Sequence, residues 1–184
     1  ISGIDMALLD LKGKVLRTPC YELLGGAFRN DILLYANYCF IRGGHSAEDY
    51  AAQARKLKDT GFTGLKFDPF AHTSYLYGDD LSSDLTLTKE QQDLAFNVTK
   101  AVRDAVGPDF DIMIETHAML NYRVAVKMAQ RLAELDITWY EEPAGPESAD
   151  TLRAMRERIP SNVSICVGER HYTRHGIRPL LEKN

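Results

Sequence analysis

The chain has 184 residues, 45% of them hydrophobic and 26% charged, with a formal net charge of −4, the composition of an ordinary globular protein long enough to bury a core. The acidic balance, with no basic stripe interleaved with aromatics, argues against a nucleic-acid partner. No apolar run approaches the roughly 18 to 20 residues of a membrane-spanning helix, no charged segment precedes an apolar one as in a secretory leader, and three scattered cysteines, Cys20, Cys39 and Cys166, fit buried free thiols in a reducing cytoplasm.

Ile4, Leu8, Leu11 and Val15 recur at helical spacing after Ser2, a candidate N-cap. Residues 1–24 therefore predict a helix broken at Pro19 and ended by Gly25 and Gly26. A β-rich run over 32–40 predicts the first strand. Ser46 then caps a helix whose Tyr50, Ala54 and Leu57 share a face, Gly61 closes it, and 63–67 is the second strand. Residues 69–88, rich in Tyr, Ser, Gly and Asp, show no period and are long for a βα connection, which marks a functional or mobile loop. From Thr88 a helix turns Leu94, Val98, Ala101, Val102 and Ala105 inward and ends at Gly107 and Pro108. Strand 110–114, helix 122–135, strand 137–140, helix 149–159, strand 163–167 and helix 175–182 follow.

Unbroken alternation of this kind implies a parallel sheet, doubly wound or closed into a barrel. Glu115, Glu141 and Glu169 each stand where an apolar β-type run gives out, in FDIMIETH, DITWYEEP and VSICVGER, at intervals of 26 and 28 residues (141 − 115 and 169 − 141). That interval is one βα step, so the three side chains converge on the rim at the C-terminal ends of the strands. A barrel gathers such ends around one mouth, whereas an open sheet spreads them along a line. Three carboxylates meeting there repel one another unless a cation neutralises them. Hard oxygen ligands at an open site suit Mg2+, which keeps positions for water or substrate oxygens. Five strands do not close an eight-stranded barrel, and both terminal helices read as interior pieces, so the expectation is a segment of a longer polypeptide.

Five motif segments in register, SGIDMALLDLKGK with PCYELLGG, LKFD, IETH, YEEP and GER, make the chain resemble the enolase superfamily. Within it the resemblance is to the mandelate racemase and muconate lactonizing group, nearest the sugar-acid dehydratases of galactonate or mannonate type. The resemblance implies an α/β fold made of the first five βα units of a (β/α)7β TIM-like barrel, the rest of the capping domain and the last strands being absent from this chain. Residues 1–30 would be a helical lead-in from the capping domain and 31–184 the partial barrel. It implies one Mg2+ held by Glu115, Glu141 and Glu169, with Glu142 organising the rim. Glu115 stands where the group commonly has Asp, and its extra methylene still reaches a metal.

The same resemblance gives His117 the role of general acid or base, and an imidazole of ordinary pKa, about 6.5, exchanges protons at neutral pH. Lys66 and Asp68 end the second strand with one parity. Lys66 would steer a carboxylate or remove a proton, with Asp68 as its ion-pair partner. Asp68 also replaces the second lysine of the simple racemase motif, which weighs against a lysine-only mechanism. Arg170 and His171 follow Glu169 in a segment resembling that of galactonate-type dehydratases, which implies substrate binding, with orientation of Glu169 or a rim ion pair as the alternatives for Arg170. Tyr75, Tyr77, Asp79 and Asp80 lie in the long loop, where substrate selection is expected, while His45 and His72 have no partner the sequence identifies. The implied function is Mg2+-dependent abstraction of the proton alpha to a carboxylate followed by β-elimination of water: a cytoplasmic, homo-oligomeric hydro-lyase acting on an acid sugar. The alternatives are a racemase, epimerase or lactone cycloisomerase on the same scaffold, or a noncatalytic barrel binding an acid sugar or Mg2+.

Overall fold

The computed structural model describes residues 1–37, 46–70, 86–145 and 148–183. Cys39, His45, His72, Tyr75, Tyr77, Asp79 and Asp80 lie outside the described residues. The chain divides into two units, Ile1–Leu33 and Leu34–Asn184. In the first, α1 (Ser2–Leu16) has Ile1 rather than Ser2 at its cap position, with no side-chain cap bond. The helix closes two residues before Pro19, where Arg17 takes a left-handed φ of 52° and the Thr18 amide donates to the Gly13 carbonyl at 2.9 Å. Pro19 then precedes the short α2 (Cys20–Leu23).

In the second unit, side-chain caps start four helices. Ser46 with Asp49, and Thr88 with Gln91, form reciprocal capping boxes at α3 (Ala47–Asp59) and α4 (Lys89–Val106). Asn121 caps α5 (Tyr122–Leu132) and Ser148 caps α6 (Ala149–Arg156). Each cap satisfies first-turn amides that have no partner inside the helix. The predicted helix over 122–135 is α5 continued by a 3-10 turn, Ala133–Leu135, which a left-handed Asp136 ends. The last helix, α7 (Thr173–Lys183), runs through Pro179. Among the described residues no helix is long and apolar enough to cross a membrane.

Between the helices lie β1 (Ala36–Asn37), β2 (Gly64–Phe67), β3 (Asp111–Glu115), β4 (Trp139–Glu141) and β5 (Ser164–Cys166), all parallel and in chain order across one sheet. Of the strand predicted over 32–40, residues 32–35 are unpaired, β1 begins at Ala36, which meets Leu65 of β2, and 38–40 lie outside the described residues. The apolar residues 32–34 just before it are exposed.

Side chains alternate across a strand, and that alternation divides the chemistry. Leu65, Phe67, Ile112, Ile114 and Tyr140 join the core formed with Val98 and Val102 of α4, Ala125, Met128 and Ala129 of α5, and Met155 of α6. Burying each such aliphatic or aromatic side chain contributes about 1.5–3 kcal/mol, and a one-residue slip would carry the whole set to the other face. The opposite parity holds Lys66, Met113, Glu115, Trp139 and Glu141.

That second face is concave. Tyr35, just before β1, meets Trp139 on β4 edge to face with ring centroids 5.4 Å apart. In a flat sheet the three intervening strand spacings would separate them by about 14 Å. The sheet therefore curls toward this face, as a barrel wall does. Gly64 permits a close approach on the same side, since a Cβ there would lie 2.9 Å from the Asp111 Cβ. Gly64→Ala is expected to lower stability by about 1–3 kcal/mol through overpacking; a urea midpoint equal to that of wild type would disprove the constraint. At the other rim, the Arg103 guanidinium donates to the carbonyls of Gly107, Phe110, Leu135 and Asp136. This one side chain ties the end of α4 to the approaches of β3 and β4.

Candidate metal centre

Glu115 and Glu141 are register partners at the ends of β3 and β4, and the next residue in that row, on β5, is Cys166. The third carboxylate comes from the loop beyond β5, reached through Gly168 at φ 153°, a backbone conformation that favours glycine. A ligand oxygen from each of Glu115, Glu141 and Glu169 lies within 4.8 Å of the others, with Glu115 and Glu141 buried and Glu169 exposed.

The inner part of this cluster holds one cation from the chain itself. Lys66 Nζ lies 3.0 Å from Glu115 Oε2 and 2.7 Å from Glu141 Oε1, and the three side chains are 8%, 2% and 11% exposed. Lys66 thus pairs with the two glutamates rather than with Asp68, correcting the sequence expectation: alternation brings the longer side chain across to β3 and β4. Burial pulls the Lys66 pKa down, but hydrogen bonds to Glu141 and Glu115 outweigh it and hold the ammonium above its ordinary value. One ammonium shared by two carboxylates leaves a net negative charge. Accordingly, burial, aided by the proximity of Glu115, keeps the Glu141 carboxyl above its usual range despite Lys66. Two buried carboxylates with a third at the rim, carrying more negative charge than Lys66 neutralises, fit a hard divalent cation such as Mg2+.

The remaining oxygens are fixed. Glu115 Oε1 accepts from the backbone amides of Thr116, at 3.1 Å, and His117, at 2.9 Å. Glu141 Oε2 accepts from the Trp139 indole Nε1 at 3.0 Å. Asp68, fully buried, accepts from the Phe70 amide at 2.7 Å and lies 3.0 Å from His117 Nδ1. The Asp68 hydrogen bond, opposed by partial burial, raises the His117 pKa above its ordinary value.

His117, Ala118 and Glu142 all adopt left-handed backbone, at φ 52°, 59° and 41°, a conformation that costs roughly 1–2 kcal/mol for a residue with a Cβ. Cross-strand bonds hold the rim in that shape: Ala118 N to Glu142 O at 2.9 Å, Thr116 N to Glu141 O at 3.2 Å and Glu142 N to Cys166 O at 2.9 Å. Arg170 Nε stands 2.9 Å from Glu142 Oε2 and 4.0 Å from Glu169 Oε1, while its Nη2 donates to the His117 carbonyl at 2.9 Å. Arg170 therefore bridges the loops after β3, β4 and β5.

The structure brings Lys66, Asp68, Glu115, His117, Glu141, Glu169 and Arg170 to one rim. His171 is joined to this network by no side-chain hydrogen bond among the described residues, and its Nδ1 is buried without a partner there. Sequence reasoning missed Trp139 and the closeness of Glu142 to Arg170. The signal for Trp139 was its parity with Glu141, two residues on along one strand. Cys166 lies in the same row, and burial together with the Glu141 charge pushes its thiol up to about 11, so it is held protonated.

Parallel strands whose C-terminal ends carry a carboxylate cluster define an α/β-barrel type of site. The chain belongs to the enolase superfamily: residues 49–184 match the enolase C-terminal domain-like family, and residues 1–25 match the N-terminal domain of the mandelate racemase and muconate lactonizing enzymes. It is 38% identical to a D-gluconate dehydratase of Thermoproteus tenax over 92% of this chain and 32% of that protein. It is 29% identical to a D-xylonate dehydratase of Haloferax volcanii over 99% of this chain and 43% of that protein. A solved enolase-superfamily member from Salmonella Typhimurium superposes with a TM-score of 0.84 at 34% identity, over 99% of this chain and 48% of that one. The chain thus spans less than half the length of these relatives.

Proposed function

We propose that this chain carries the metal-binding and proton-donating side of a sugar-acid dehydratase, which converts an aldonic acid to its 2-keto-3-deoxy acid. The reading rests above all on the convergence of Glu115, Glu141 and Glu169 within 4.8 Å. Mg2+ held by these three would supply a Lewis acid for the negative charge that develops when the proton alpha to the substrate carboxylate is lost. Lys66, an ammonium while paired with Glu115 and Glu141, lies on the same concave face and meets the carboxylate end of the substrate. With those glutamates engaged by Mg2+, its ion pairs weaken and its pKa falls, and in that state it is the candidate base. Asp68 engages His117 Nδ1, so proton exchange with substrate falls to Nε2, and His117 protonates the departing β-hydroxyl. Arg170 holds the loops that carry His117 and Glu169 at a fixed separation and presents its charge at the mouth. The relatives named for gluconate and xylonate dehydration support an acid-sugar substrate.

The test is product analysis with a panel that includes D-gluconate and D-xylonate in deuterated water with Mg2+. The expected product is a 2-keto-3-deoxy acid, with activity lost in EDTA. Deuterium entering recovered or inverted substrate with no keto acid formed would instead indicate racemisation, epimerisation or cycloisomerisation.

A further inference from the structure

Glu141 divides its two oxygens between different kinds of partner. Oε1 faces Lys66 at 2.7 Å, within the acidic cluster, and Oε2 accepts the indole N–H of Trp139 at 3.0 Å. The donor is two residues earlier on the same strand and the same face, so the bond forms within β4 and needs no loop to order it. The indole also has an aromatic neighbour. Tyr35 packs against it at 5.4 Å between centroids with an interplanar angle of 84°, an edge-to-face geometry that fixes ring orientation. A carboxylate with one oxygen tied to a neutral donor is restrained in rotation, and its other oxygen, Oε1, is the one that meets the Lys66 cation.

We propose that Trp139 is a positioning residue for cation binding, holding Glu141 so that a single carboxylate oxygen meets the ion. The inference rests on the reading of Glu141 as a ligand and goes beyond it, because it assigns the support of that ligand to one hydrogen bond from one indole. Partners of this kind orient metal ligands, and losing one weakens metal affinity by roughly 10- to 100-fold. Trp139 is also the only tryptophan in the chain, so its emission reports on the bond directly.

The experiment titrates Mg2+ into wild type, Trp139→Phe, Tyr35→Phe and Glu141→Gln, measuring heat of binding in all four and indole emission wherever Trp139 is retained. Trp139→Phe keeps an aromatic ring on the strand and removes the donor together with part of the indole ring, so the metal-free stability is measured beside it. Its Mg2+ affinity is expected to fall by about tenfold or more, with the urea midpoint of the metal-free protein close to that of wild type. Tyr35→Phe, which keeps the ring contact, is expected to bind as wild type does. Wild-type emission should shift on adding Mg2+, and the shift should vanish in Glu141→Gln. Equal Mg2+ affinity in wild type and Trp139→Phe overturns the positioning role and leaves the metal site standing. A loss of affinity matched by a comparable loss of metal-free stability also overturns it, since Trp139 would then act through packing. No binding of Mg2+ by wild type overturns the metal reading and this inference together.

Discussion

His117→Asn is expected to lower kcat for acid-sugar dehydration by roughly 100- to 10,000-fold, the range associated with losing a general acid or base, while Mg2+ affinity stays near the wild-type value. Asparagine is the informative replacement because position 117 has a left-handed backbone at φ 52°, which Asn tolerates better than other residues with a Cβ. It also retains the amide that donates to Glu115 Oε1 at 2.9 Å, so the support of that carboxylate survives. What disappears is a titratable ring 3.0 Å from a fully buried Asp68. Keto-acid formation under saturating substrate reads the chemical role, and calorimetric Mg2+ titration reads the metal site separately. An unchanged kcat would remove His117 from the mechanism. An unchanged kcat per loaded site with weakened Mg2+ binding would make it a support for Glu115 instead.

How much of this site the sequence carried depends on the range over which each residue acts. The βα step placed Glu115 and Glu141 at register-equivalent strand ends and brought Glu169 close to the same row, but Cys166 holds that place on β5, and Glu169 joins the other two within 4.8 Å through the loop beyond it. The caps at Ser46 and Thr88 were legible for a similar reason, because each works within three residues of itself. Pairing partners were not legible. Lys66 and Asp68 share a parity, and local reasoning joined them, but strand curvature brings Lys66 to β3 and β4 while Asp68 reaches His117 instead. Curvature is a property of the whole sheet and leaves no mark on any one strand's pattern. The start of β1 was not legible either: apolar content from residue 32 marked strand propensity, yet pairing begins at Ala36, where β2 supplies a partner. Positive φ at His117, Ala118 and Glu142 was equally hidden, since none is glycine and only the cross-strand bonds of the rim account for it.

Lys66→Met, measured in EDTA, is expected to lose about 3–5 kcal/mol of stability, the cost of breaking a buried ion pair by removing one partner. The substitution keeps an unbranched side chain of similar length, so packing changes little and charge changes by one. In wild type the Lys66 ammonium contacts Glu115 and Glu141 at 3.0 and 2.7 Å, and all three groups are nearly excluded from water. Without it, two buried carboxylates face each other with no cation between them, and neither solvent nor the exposed Glu169 can compensate. A divalent ion coordinated by the same oxygens supplies the missing positive charge. Saturating Mg2+ should therefore restore most of the lost stability, and the rise in urea midpoint on adding Mg2+ should be larger in Lys66→Met than in wild type. This comparison separates two claims by their signs. If Lys66→Met and wild type unfold at the same urea concentration in EDTA, the ammonium is not the counter-ion that holds the empty cluster together. If the variant is destabilised and Mg2+ fails to rescue it, the carboxylates are a Lys66 ion-pair network without metal affinity, and the dehydratase reading loses the Lewis acid it requires.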